Sequence, residues 1–121
     1  MKRRIISLVT LVMLAICVFS ANVLATGTSY NTTSRQKIGS KYNNATYSKT
    51  VYAKLFPSFG VADLQICNSA GTQILTHDYY PVNPQNPTEL TFGCPAHTTR
   101  SFYVKSPSGS QVSGDAVYGI R

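Results

Sequence analysis

From residue 47 onward, apolar and polar residues trade places at a period of two, and nowhere after residue 25 do apolar residues recur at the spacing of a helix face. Val51, Ala53 and Leu55 alternate with Tyr52 and Lys54; Leu64 and Ile66 with Asp63, Gln65 and Cys67; Phe102 and Val104 with Ser101, Tyr103 and Lys105. Successive side chains of an extended backbone point to opposite faces, so each run reads as a half-buried strand. The first is expected to end at Pro57, and another to occupy residues 72–76. Leu90, Phe92 and Cys94 share one face of a further strand, and Ala116, Tyr118 and Ile120 belong to the last. Turn formers separate the runs: Asn68 to Gly71, residues 81–87 with Asn83, Pro84 and Asn86, and the Ser/Gly-rich stretch 106–114. Short strands at near-regular spacing predict an all-β fold, a single small antiparallel β-sandwich of jelly-roll type over residues 47–121.

Residues 1–25 have the make-up of a secretory signal peptide that is cleaved. Lys2, Arg3 and Arg4 precede an apolar run over residues 5–19, and Val23-Leu24-Ala25 fits the cleavage site. The run is shorter than the roughly 20 residues of a membrane span, so no stable membrane insertion is expected after cleavage. Retention as an N-terminal anchor is the alternative. Cys17 leaves with the leader, and Cys67 and Cys94 remain. Outside the cytosol two such cysteines are expected to form a disulfide, worth about 3–4 kcal/mol in the chain-entropy account. A nucleophilic cysteine with His77 or His97 as its base is the competing reading, and it requires a reduced thiol.

The net charge is +7 for the whole chain and +4 without the leader's three cations. Residues 26–46 are polar and poor in aliphatics, and are expected to form a basic arm with one edge strand around residues 34–42. Arg35, Lys37, Lys41, Lys49 and Lys54 all precede Pro57, with no acid in residues 26–56. That asymmetry suits an anionic cell-envelope polymer, a polysaccharide or an extracellular protein. Export argues against nucleic acid.

Chemistry is sparse. Asp63, Asp78, Glu89 and Asp115 are the four carboxylates, and they lie well apart in sequence, whereas glycosidic acid–base work needs two held at a set separation. There is no metalloprotease HExxH pattern and no G-x-S-x-G elbow. No enzyme, metal or cofactor is expected. Tyrosines are the contact candidates. Tyr79 and Tyr80 are adjacent on an extended segment, so one faces solvent or the proline loop, where a ring and hydroxyl together suit a sugar or a protein partner. Tyr52 and Tyr103 point outward if Val51 and Val104 point in.

Ala62-Asp63-Leu64-Gln65-Ile66, with Asn68 to Thr72 after it, resembles the strand and turn of bacterial pre-peptidase C-terminal domains. Leu90-Thr91-Phe92, residues 101–105 and residues 116–120 with the glycines before them are similar to that family's later strands. Gly60-Val61 replaces the acid common before the motif, and the expected disulfide is unusual there. The resemblance implies a β-sandwich module with binding or secretion-related roles. Two other roles fit a small, exported, basic chain: an antimicrobial or toxin-like antagonist, and a matrix or surface-coat component.

Overall fold

The structure, a computed structural model, describes residues 25–121; the expected leader lies outside the described residues except for Ala25. Eight strands follow in order: β1 (Ala25–Thr32), β2 (Arg35–Tyr42), β3 (Lys49–Phe59), β4 (Ala62–Cys67), β5 (Ile74–Tyr80), β6 (Leu90–Cys94), β7 (Thr99–Lys105) and β8 (Val112–Ile120). None of the described residues forms a helix long and apolar enough to cross a membrane.

The pairing is nested. β1 pairs with β8, β2 with β7, β3 with β6 and β4 with β5, all antiparallel. That is one long hairpin, with its tip at the turn from Asn68 to Gly71, where the Gly71 N–H donates to the Asn68 carbonyl (3.0 Å). Ladders between β3 and β8 and between β4 and β7 roll the hairpin up. The result is two four-stranded sheets, β1-β8-β3-β6 and β2-β7-β4-β5. This is the jelly-roll order, and the fold class expected from the alternation is the one observed.

The alternating residues meet between the sheets. Val51, Ala53 and Leu55 of β3 face Leu64 and Ile66 of β4 and Phe102 and Val104 of β7 in one core. The Phe102 ring stacks at a tilt on Tyr118 of β8, centroids 4.9 Å apart.

Four expectations need correction. Residues 26–46 are built into the sandwich: the edge strand expected around residues 34–42 is β2, and β1, which was not expected, is an edge strand of the other sheet. Each buries a single large residue, Tyr30 or Ile38. The ladders to β8 and β7 hold these strands with almost no apolar signal of their own. β3 runs past Pro57 to Phe59 through a bulge, a place where a residue without an N–H is tolerated. β5 starts at Ile74 and continues through Tyr80, which makes both tyrosines strand residues.

The fourth correction concerns the cysteines. Cys67 and Cys94 are both free thiols and both buried. Cys94 belongs to the core, whereas Cys67 falls on the opposite face of β4 from Leu64 and Ile66. Each sulfur has its own partner, Arg35 for Cys67 (3.2 Å) and the Thr98 carbonyl for Cys94 (3.2 Å). Reductant is therefore expected to leave the melting temperature unchanged, and thiol titration of the unreduced, denatured domain to find both cysteines reactive. A melting point that falls on reduction would restore the bond.

Candidate functional site

The outer face of the β2-β7-β4-β5 sheet departs from the usual solvated side of a sandwich. All six residues of β4 are buried, including the outward-pointing Asp63, Gln65 and Cys67. Polar groups buried this way need partners, and they have them in series. Arg35 on β2 donates from Nε to Gln65 Oε1 (2.9 Å). Gln65 Nε2 donates to Asp63 Oδ2 (3.0 Å), and His77 Nδ1 on β5 donates to Asp63 Oδ1 (2.9 Å). The other end of the guanidinium reaches the Gly71 carbonyl (2.9 Å), and its carbon lies 3.8 Å from the centre of the Tyr103 ring. Tyr103 in turn lies over Gly71, whose φ of +74° and lack of a Cβ leave room for the phenol.

The series leads to Tyr79. The imidazole of His77 meets the Tyr79 ring edge-on, centroids 5.7 Å apart and planes at 88°. Parity divides the tyrosine pair: Tyr80 turns into the core at 3% exposure, and Tyr79 turns outward at 55%. The Tyr80 hydroxyl donates to the Thr88 carbonyl, and the Asn83 N–H donates to the Pro57 carbonyl (2.9 Å). These two bonds pin the connection between β5 and β6 at both ends. Asn83 and Asn86 take positive φ there, and Pro81, Pro84 and Pro87 stiffen it. Between this connection and Asp78, Tyr79 and Tyr80 lies a pocket of about 230 Å³. Asp78 is its only charged lining residue.

The remaining tyrosine candidates are outward but covered. Tyr52, 6% exposed, lies beneath the Arg121 guanidinium (4.3 Å to the ring centre), and Arg121 Nη2 also donates to Glu89 Oε1 (2.5 Å). That bond holds the Glu89 carboxyl below its ordinary pKa. Tyr103 is half-buried under Arg35. Nor do the five basic residues form one strip. Arg35, Lys37 and Lys41 are on β2, and Lys49 and Lys54 are on β3 of the other sheet. Lys41 donates to Thr26 Oγ1 (2.7 Å), while Lys49 and Lys54 lie over the rings of Tyr47 and Phe56. Lys37 is exposed beside the β2 bulge.

Among the described residues no catalytic centre takes shape. Burial pushes both thiols up in pKa, against the pull of Arg35 on Cys67 and of Arg100 on Cys94, and a protonated thiol is a poor nucleophile. Neither sulfur is hydrogen-bonded to an imidazole: His77 is held by Asp63, and His97 Nδ1 lies 3.3 Å from the Tyr42 hydroxyl. Among the described residues no three His, Cys, Asp or Glu side chains gather where a metal ion could sit. Residue alternation had marked the Tyr79–Tyr80 pair without deciding which ring faces outward. The series behind Tyr79 was not foreseen, because apart from the Gln65–Asp63 bond it joins residues 14 to 36 positions apart whose types carry no motif.

Strand order and pocket together define a small jelly-roll β-sandwich with a ligand-sized recess at one end. No protein-family model matches the sequence, and no curated protein matches it. Solved structures do. A periplasmic inhibitor of g-type lysozyme from Aeromonas hydrophila is similar at 13% identity, with 82% of this chain and 88% of that one covered and a TM-score of 0.54. The Yersinia pseudotuberculosis-derived mitogen is similar at 10% identity, with coverage of 80% and 86% and a TM-score of 0.53. The pre-peptidase C-terminal domain of a Bacillus anthracis collagenase is similar at 12% identity, with coverage of 81% and 90% and a TM-score of 0.50. The resemblance to pre-peptidase C-terminal domains therefore holds in the fold.

Proposed function

We infer that the protein is a small non-catalytic binding module, acting outside the cytosol on a cell-envelope or extracellular polymer. The observation that carries this reading is the exposed Tyr79 at the mouth of a pre-shaped recess. An aromatic ring held proud of a rigid scaffold, beside a few polar groups, is the usual make-up of a recognition site. The positive charge, spread over both sheets, supplies long-range attraction to an anionic surface rather than a contact of its own. The test is co-sedimentation of the domain (residues 26–121) with isolated envelopes and insoluble polysaccharides. Wild-type retention that falls several-fold in Tyr79→Ala is expected; equal retention of the two would move the contact elsewhere, and no retention at any salt would end the reading.

A second reading, a secreted antagonist of another protein, has its own observation. Phe59, Val61 and Val82 are exposed at the same end as the pocket, and side chains of that kind suit a protein partner. An inhibitor of g-type lysozyme shares the fold, and inhibition of lytic enzymes by the purified domain tests this reading directly.

A further inference from the structure

We propose that the recess beside Tyr79 receives one neutral sugar ring, and that His77 is the residue that positions Tyr79 for it. The proposal rests on the binding-module reading and names its ligand. Size is the first argument. About 230 Å³ is below the roughly 300–1,000 Å³ of pockets that enclose drug-sized ligands, so a single ring is a better match than a multi-ring compound or a folded loop. Polarity is the second. Tyr79 offers an aromatic wall for C–H groups, and Gln85, Asn86 and Thr88 offer amides and a hydroxyl that both donate and accept. This is the mixture that a ring with hydroxyls on its rim and carbons on its faces requires.

Charge is the third argument. No Lys or Arg lines the recess, and the one ionic group there is the Asp78 carboxylate. Its Oδ1 accepts the Tyr79 N–H (2.9 Å), which fixes the carboxylate against the backbone of the residue it serves. An acidic sugar would meet like charge with no cation to offset it. A carboxylate does accept bonds from sugar hydroxyls.

Rigidity is the fourth. The loop wall is pinned through Asn83 to Pro57 and through Thr88 to Tyr80. The opposite wall, Tyr79, is 55% exposed and would be free to swing, but the His77 imidazole abuts its ring, and Asp63 holds that imidazole. A wall fixed beforehand spares the ligand the ordering cost of a mobile side chain, roughly 0.5–1.5 kcal/mol. His77 is thus a positioning residue, acting through Tyr79.

The experiment titrates the domain with three soluble probes, neutral cellotriose, anionic trigalacturonate and cationic triglucosamine, following backbone amide shifts. Cellotriose is expected to perturb Tyr79 and residues 81–88, with trigalacturonate and triglucosamine weaker. Tyr79→Ala should weaken cellotriose about tenfold. His77→Ala should weaken it about threefold, and His77→Phe, which keeps a ring against Tyr79 but gives Asp63 no donor, should restore most of the binding loss while lowering the cellotriose-free melting temperature as His77→Ala does. Tighter trigalacturonate or triglucosamine overturns the neutral ligand, and a His77→Ala protein that binds as wild type overturns the positioning role. If no probe binds while the domain still co-sediments with envelopes through Tyr79, the sugar ring fails and the binding module stands. If lytic-enzyme inhibition appears instead, the recess belongs to a protein interface.

Discussion

Arg35→Ala is expected to lower the unfolding free energy by about 2 kcal/mol, whereas Lys37→Ala, two residues along the same strand, should change it by less than about 0.5 kcal/mol. Both are cations on an edge strand, and by composition they are equivalent. Structurally they differ, because the Arg35 guanidinium is the partner of groups that have no access to water. Gln65 is 1% exposed, and without Arg35 its Oε1 loses the bond recorded at 2.9 Å. A buried acceptor left without a donor costs about 1–3 kcal/mol, and the lost stack on Tyr103 adds roughly 0.5–1 kcal/mol. Arg35→Lys should recover little, since one ammonium cannot bond Gln65 and the Gly71 carbonyl while lying flat on a ring. Urea unfolding of the three variants checks this. If Arg35→Ala and Lys37→Ala melt alike, the series on the outer face does not hold the sheet.

The fate of Arg35 also shows where sequence reasoning stops. Alternation located the strands whose inward residues are apolar, β3, β4, β6, β7 and β8, because burial of Val, Leu, Ile and Phe writes a period into the chain. β1 and β2 carry no such period. An edge strand with Thr, Ser and Gly at most inward positions is set by its ladder to a neighbour 57 or more residues away, as in Tyr42 opposite Thr99 or Ala25 opposite Gly119. The phase of Cys67 is legible in the sequence: it alternates with Leu64 and Ile66, whereas Cys94 is in phase with Leu90 and Phe92. Opposite phases place one sulfur outside its sheet and the other inside, which argues against a bond before any coordinate is known. Of the candidate site, the Tyr79–Tyr80 pair and the proline-rich connection could be read from local order, but not which of the two rings faces outward. The pinning of that connection to Pro57 and the bracing of Tyr79 by His77 could not, since both depend on which strands lie side by side.

At the alkaline end the domain is expected to lose about 5 kcal/mol of stability, enough to unfold a typical small protein. Tyr30 and Tyr80 are each 3% exposed, and burial pushes both phenols up from 10 to about 12. Nearby carboxylates add to the shift, Asp115 for Tyr30 and Asp78 and Glu89 for Tyr80. A folded-state pKa above the unfolded one means that the native form holds its proton longer. The stability linked to each group is complete below pH 10 and disappears as the pH climbs to about 12. Each tyrosine supplies about 2–3 kcal/mol over that window. Substitution separates the two. The Tyr30 hydroxyl has no hydrogen-bond partner, so Tyr30→Phe should leave neutral stability unchanged or slightly raised and remove about half of the alkaline loss. Tyr80→Phe should remove the other half, cost about 1 kcal/mol at neutral pH, and release the Thr88 carbonyl that pins the pocket wall. Unfolding free energies measured from neutral pH to pH 12, alongside tyrosinate absorbance, decide the matter. An alkaline slope that Tyr30→Phe leaves untouched would mean that Tyr30 ionises as freely in the native sandwich as in the unfolded chain.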